Sequence, residues 1–129
     1  MIVSHVLSAL PDLSPAELEI LSILWQEAPL KPAQIEESFS RPIENATLRS
    51  TLVGLVEKGF LRRDRVGKAY FYKPARTPRV VRRKLVEQLA AVFAEGSRLG
   101  LIAQLIRDEK LTAAQLRELE KIAQGEDKQ

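Results

Sequence analysis

The sequence predicts a mainly α protein with a small β-hairpin, built as two successive parts. Three observations predict it. Leu48, Leu52, Leu55 and Val56 recur at helical spacing up to Lys58 and Gly59. A basic run from Arg62 to Lys68 then turns on Gly67 into the β-prone Ala69, Tyr70, Phe71, Tyr72. Beyond residue 80, three further amphipathic segments follow, each opened or closed by a capping or glycine signal.

Residues 1–12 carry scattered apolar side chains (Ile2, Val3, Val6, Leu7, Leu10) and stop at Pro11, as an N-terminal arm that either adds a helix or frays. Ser14, Pro15, Ala16 and Glu17 form a capping box with proline at the first helical position. Leu18, Ile20, Leu21, Ile23, Leu24 and Trp25 give that first helix its apolar face, which places Trp25 in the core. Ala28, Pro29 and Leu30 break the helix. Pro32 starts a short second helix to about Ser38, with Ile35 and Phe39 inward, and Ser40, Arg41 and Pro42 make the next turn.

Asn45 is the expected N-cap of the third helix. Opposite its leucine stripe lie Ala46, Thr47, Ser50, Val53 and Gly54, with Arg49 on the flank. A face this small and this rich in hydroxyls can enter a major groove. Two helices, a turn, a third helix and a hairpin describe a winged helix-turn-helix over residues 13–75. Ala46, Thr47, Arg49 and Ser50 are then candidates for base-edge contacts. Arginines at the hairpin tip are placed to hold phosphates or reach into a minor groove, and Lys31 and Arg41, at the two ends of the second helix, to lie near flanking phosphates.

Residues 76–79 read as a linker and 80–124 as a helical domain. Val80, Val81, Leu85, Leu89, Val92 and Phe93 mark a long helix to Glu95 and Gly96. Leu99, Leu101, Ile102, Leu105 and Ile106 mark a second, from Ser97 to about Asp108. Leu116, Leu119, Ile122 and Ala123 mark a third, opened by the capping box Thr112 to Gln115. So few residues could hardly bury that much apolar surface alone. The expectation is a homodimer with a shared core built on Leu85, Leu89, Phe93, Leu101, Leu105, Leu116 and Leu119; the alternative is packing against the winged helix of the same chain. Residues 125–129 are expected to be a disordered tail.

Charge is segregated. The net charge is +3 over 129 residues, but residues 1–40 sum to −5, 41–84 to +10 and 85–129 to −2. A basic block of this kind is the footprint expected of a nucleic-acid surface. With no cysteine and His5 as the one histidine, disulfides, thiolate chemistry and a histidine metal site are excluded, and no metal or other cofactor is expected. There is also no Gly-rich phosphate loop, and the carboxylates are scattered, so no enzyme is expected. No apolar run approaches a membrane span and residues 1–10 lack the charged start of a signal peptide, so the expected location is cytoplasmic, without membrane insertion.

Several spacings together resemble the penicillinase-repressor (BlaI/MecI/CopY) family of winged-helix regulators. They are Ser14-x-x-Glu17-Leu18-x-Ile20-x-x-x-Leu24-Trp25; Thr47-Leu48-x-Ser50-x-Leu52-x-x-Leu55-x-x-Lys58-Gly59-x-Leu61; and Gly67-x-x-Tyr70-x-Tyr72-x-Pro74. The C-terminal Phe93-x-x-Gly96, Leu101, Leu105 and Leu111 are also similar. The resemblance implies a homodimeric bacterial repressor binding a double-stranded operator with dyad symmetry, upstream of resistance or stress genes. Carried over by position, it implies recognition-helix contacts from Ala46, Thr47, Arg49 and Ser50 and wing contacts from Arg63, Arg65 and Lys68. In the β-lactam-responsive branch a membrane sensor leads to cleavage at an Asn-Phe bond; the similar position here, a candidate cleavage point, is Gln104-Leu105. The copper-responsive branch uses a C-terminal cysteine cluster, which this chain lacks.

Two rival readings stay open: a winged helix that binds a protein partner, and a regulator that binds a small effector without being cleaved. A protein-binding surface should show aromatic or large apolar anchors in place of a basic hairpin beside a small, polar helix face.

Overall fold

The computed structural model describes residues 13–126. Six helices and one antiparallel hairpin follow in the order α1 (Pro15–Gln26), α2 (Pro32–Ser38), α3 (Asn45–Glu57), β1 (Leu61–Val66), β2 (Ala69–Pro74), α4 (Pro78–Phe93), α5 (Arg98–Glu109) and α6 (Ala113–Lys121). The N-terminal arm with His5, and residues 127–129 of the tail, lie outside the described residues. No single described helix is long and apolar enough to cross a membrane.

The chain divides into two compact units, the first reaching Leu85 and the second running on from Val86. The first unit is built as a winged helix. Ser14 caps α1 through the reciprocal capping box: its Oγ accepts from the Glu17 N–H at 3.2 Å and Glu17 Oε1 accepts from the Ser14 N–H at 2.8 Å. Ile20, Leu21 and Leu24 of α1, Ile35 of α2, and Leu48, Leu52 and Leu55 of α3 are at most 1% exposed and converge in one core with Phe39, Phe60, Leu61 and Tyr72. Trp25 packs half-buried at its edge, and its indole N–H donates to the Arg76 carbonyl at 2.8 Å.

Gly59 ends α3 with φ +86, where the Phe60 N–H reaches the Leu55 carbonyl and the Gly59 N–H the Val56 carbonyl. This is a Schellman closure, and glycine meets its left-handed geometry without a Cβ penalty. It turns the chain directly into β1. The hairpin pairs Leu61 with Pro74 through Val66 with Ala69, and the two-residue turn has Gly67 at φ +64 in its first position. Leu30 adds a short third rung, exchanging backbone hydrogen bonds with Tyr72 at 3.1 and 2.8 Å. That rung anchors the base of the wing between α1 and α2.

Three boundaries differ from the sequence reading. Asn45 is the first residue of α3 and not its cap: Glu44 occupies the cap position without a side-chain bond, and Asn45 Oδ1 accepts from Arg49 Nε at 2.8 Å. The long helix starts at Pro78, inside the expected linker, since proline suits a first helical turn. Gly125 and Glu126 belong to a wide closing turn after α6, with Gly125 at φ +97, so the expected tail does not begin at 125.

In the second unit, α5 is capped by Ser97, whose Oγ accepts from the Gly100 N–H at 2.8 Å, and α6 by the expected Thr112–Gln115 capping box. Arg98 lies 3.8 Å from Glu87, and Gln104 Nε2 donates to the Phe93 carbonyl at 2.8 Å, which satisfies one of the open carbonyls that end α4.

Candidate nucleic-acid interface

The site is assembled from the outer face of α3, the wing, and the turn between α2 and α3. Because Leu48, Leu52 and Leu55 lock one side of α3 into the core, Ala46, Thr47, Arg49 and Ser50 are turned outward, all exposed. Arg49 is braced along the helix by Asn45, and Ser50 Oγ donates to the Thr47 carbonyl at 3.0 Å. A braced Arg49 loses less side-chain entropy when it docks.

The turn before α3 is held from α1. Glu19 accepts from the Ser40 N–H at 2.5 Å and from the Ser40 hydroxyl at 2.9 Å, and Arg41 lies 3.8 Å from the same carboxylate. Arg41 also stacks over the Phe39 ring at 5.2 Å. Lys31, at the start of α2, extends toward the Phe71 ring at 6.0 Å, and its N–H donates to Gln34 Oε1. Both cations expected to flank the helix are therefore exposed and loosely guided by an aromatic edge.

The wing is more ordered than its composition suggests. The register puts Arg63 opposite Tyr72 and Arg65 opposite Tyr70 on one face, with Arg62, Asp64 and Lys73 on the other. Arg63 lies 4.5 Å and Arg65 5.6 Å from the Tyr70 ring centre. Arg65 Nε donates to the Gly67 carbonyl at 3.1 Å. A side-chain hydrogen bond to Tyr72 raises the pKa of Arg63 above its ordinary value, helped by attraction to the two tyrosines and Glu57. Lys68 is exposed at the turn.

Sequence reasoning missed Glu19, Tyr70, Tyr72 and the Leu30 rung. The alternation Arg63-x-Arg65 against Tyr70-x-Tyr72 was the available signal: a two-residue turn at Gly67–Lys68 fixes the register and puts all four side chains on one face.

The residues expected to pair two chains divide differently. Leu85 packs half-buried against the winged-helix core, and Leu101 is 5% exposed within the chain, so neither is an open surface side chain. Leu89, Phe93, Leu105, Leu116 and Leu119 are 41–61% exposed. Gln104 and Leu105, the candidate cleavage pair, lie inside α5. Among the described residues no group of histidine, aspartate and glutamate side chains could hold a metal.

Comparison with known proteins gives one coherent answer. Residues 13–125 match the penicillinase repressor family. Over 119 residues the chain is 21% identical to the penicillinase repressor of Bacillus licheniformis, covering 88% of this chain and 90% of that protein. Its fold is similar to the transcriptional regulator Tm0710 of Thermotoga maritima (TM-score 0.52, 20% identity, 91% of this chain and 80% of that one). It is also similar to a mutant MarR of E. coli (TM-score 0.53, 20% identity, 95% and 83%).

Proposed function

From the premise that this chain belongs to the penicillinase repressor family, as a winged-helix transcriptional repressor and not an enzyme, we propose that it acts in the cytoplasm as a homodimer. Its target is a double-stranded operator with dyad symmetry upstream of resistance or stress genes. The observation that carries the reading is the pairing of two surfaces in one unit: the exposed small and hydroxyl-bearing face of α3, and a wing face with two arginines over a tyrosine ring. Ala46, Thr47, Arg49 and Ser50 read base edges. Arg63, Arg65, Lys68, Lys31 and Arg41 hold sugar-phosphate.

The homodimer is supported by the exposed apolar side chains of α4, α5 and α6, a pattern that marks an interaction surface in a water-soluble chain. Leu89, Phe93, Leu105, Leu116 and Leu119 form its shared core in this reading, with Ile122 extending it.

Release from the operator has two routes. A membrane sensor protease would have to cut at Gln104–Leu105, whose position within α5 requires that helix to open first, since proteases bind extended chain. The alternative is a small effector acting without cleavage. A protein partner in place of DNA is disfavoured by an α3 face that offers no large aromatic anchor.

The experiment is selection of bound duplexes from a random DNA pool by the purified protein, followed by sequencing and a salt titration. An enriched motif with two related half-sites, their centres about one helical turn apart, supports the repressor. Binding without enrichment would overturn it and leave the basic block as a non-specific surface.

A further inference from the structure

We propose that Arg63 and Arg65, laid over the ring of Tyr70, form a two-guanidinium clamp for one phosphodiester of the DNA backbone, with Tyr70 as its positioning residue. The inference rests on the DNA-binding reading above and adds which face of the wing meets the duplex and what aims it.

Two arginines two residues apart on one strand project to the same side, and their charges repel. Neither lies within ion-pair distance of a carboxylate among the described residues; Glu57 attracts Arg63 only from farther away. What gathers them is aromatic. The negative face of the Tyr70 ring draws both guanidinium groups, at 4.5 and 5.6 Å from its centre. Arg65 is also tied at one further point, its Nε donating to the Gly67 carbonyl. Both forks are thus held before any partner arrives, leaving N–H groups to donate to an anion with two free oxygens.

The other face of the hairpin is built differently. There Asp64 lies 3.5 Å from Lys73 and offsets its charge, and Lys31 extends toward the Phe71 ring, so a phosphate approaching that side meets a carboxylate between cations that no shared ring gathers into one clamp. The asymmetry assigns the Arg63, Arg65 and Tyr70 face to the backbone of the duplex.

The test uses the full chain and a labelled duplex of mixed sequence, because a phosphate contact carries no sequence information. Five variants, Arg65→Ala among them, are titrated against salt. Tyr70→Leu and the double variant R63K/R65K should each bind about tenfold more weakly, the second despite keeping both charges, because lysine neither stacks as a plane nor donates as a fork. Both variants keep every positive charge and should keep the salt slope, whereas Arg65→Ala, which removes one charge, should reduce it by about one. Tyr70→Phe, which keeps the ring, should bind like the unmodified protein, and Arg62→Ala should keep its salt slope. Tyr70 is half-buried against the core, so circular dichroism checks the fold of Tyr70→Leu. R63K/R65K changes only exposed side chains and decides the matter if that variant does not fold. The clamp is overturned if R63K/R65K keeps full affinity, or if Arg62→Ala loses as much slope as Arg65→Ala. If the unmodified protein does not bind the duplex at all, the DNA-binding reading falls and the clamp with it. If Arg65→Ala weakens binding while R63K/R65K does not, the clamp alone falls.

Discussion

Glu17 and Lys58 lie 2.9 Å apart and join the first turn of α1 to the residue that caps α3. The same Glu17 carboxylate closes the α1 capping box, so one side chain, 8% exposed, fixes the start of one helix and the end of another. Removing Lys58 would leave a buried carboxylate without its cation. Because Lys58 is itself 38% exposed and water can replace part of the interaction, Lys58→Met is expected to cost about 1–2 kcal/mol, below the figure for a fully buried pair. Urea denaturation measures it. The double variant E17Q/K58M should recover part of the loss, since no unpaired charge then remains; a double variant less stable than the sum of the singles would contradict this.

Backbone geometry gives a second prediction, in the stabilising direction. Gly54 lies inside α3, and a Cβ added there meets nothing within 4 Å. Gly54→Ala should therefore stabilise the chain by about 0.5–1 kcal/mol through the lower entropy of the unfolded state. Lys110, which ends α5 at φ +53, is a lysine in a conformation that glycine adopts freely. Lys110→Gly should gain a similar amount, about 1 kcal/mol, by relieving the left-handed penalty. Thermal unfolding of both variants checks the sign: a lower melting temperature in Gly54→Ala would mean that space at α3 is filled by something other than solvent.

Elements written in short-range pattern were legible in the sequence. Ser14 with Glu17 and Thr112 with Gln115 are contacts three residues apart, and Leu48, Leu52 and Leu55 share a face by helical periodicity alone. The outward face of α3 followed from those leucines. Contacts between residues far apart in the chain were not legible. Glu17 with Lys58, Leu30 with Tyr72 and Glu19 with Ser40 depend on how three helices pack, which no local spacing encodes. Asn45 illustrates a local signal with two outcomes: its side chain could cap α3 or bond Arg49, and it bonds Arg49. Leu85 and Leu101 have the same apolar character as their exposed neighbours, and only the folded chain distinguishes them.

Base reading and backbone holding should separate in the DNA-binding variants. Arg49→Ala removes a fork braced by Asn45 on the α3 face and should cost about 1–3 kcal/mol on the selected operator, with little effect on unrelated duplexes. Arg65→Ala should weaken binding to all sequences and reduce the salt slope by about one. Fluorescence anisotropy on the operator and on a scrambled duplex, each at several salt concentrations, checks both. Equal losses on the two duplexes for Arg49→Ala would remove it from base recognition.

The apolar surface of the second unit makes the last prediction. Leu89 and Phe93 of α4, Leu105 of α5, and Leu116 and Leu119 of α6 are exposed in the single chain, and three helices of this length leave such surface in water only at a cost. In a shared core Leu89 becomes buried, so Leu89→Glu would force a carboxylate into an apolar interface with no cation to pair it. Since Leu89 is 46% exposed within the protomer, the substitution should leave each chain folded while the dimer dissociates. Analytical ultracentrifugation at micromolar concentration reads this directly: the unmodified protein should sediment as a dimer and Leu89→Glu as a monomer with unchanged circular dichroism. Operator affinity should fall as well, because two linked half-site contacts become two separate ones and the gain from effective concentration is lost. A Leu89→Glu protein that remains dimeric would exclude this face of α4 from the interface.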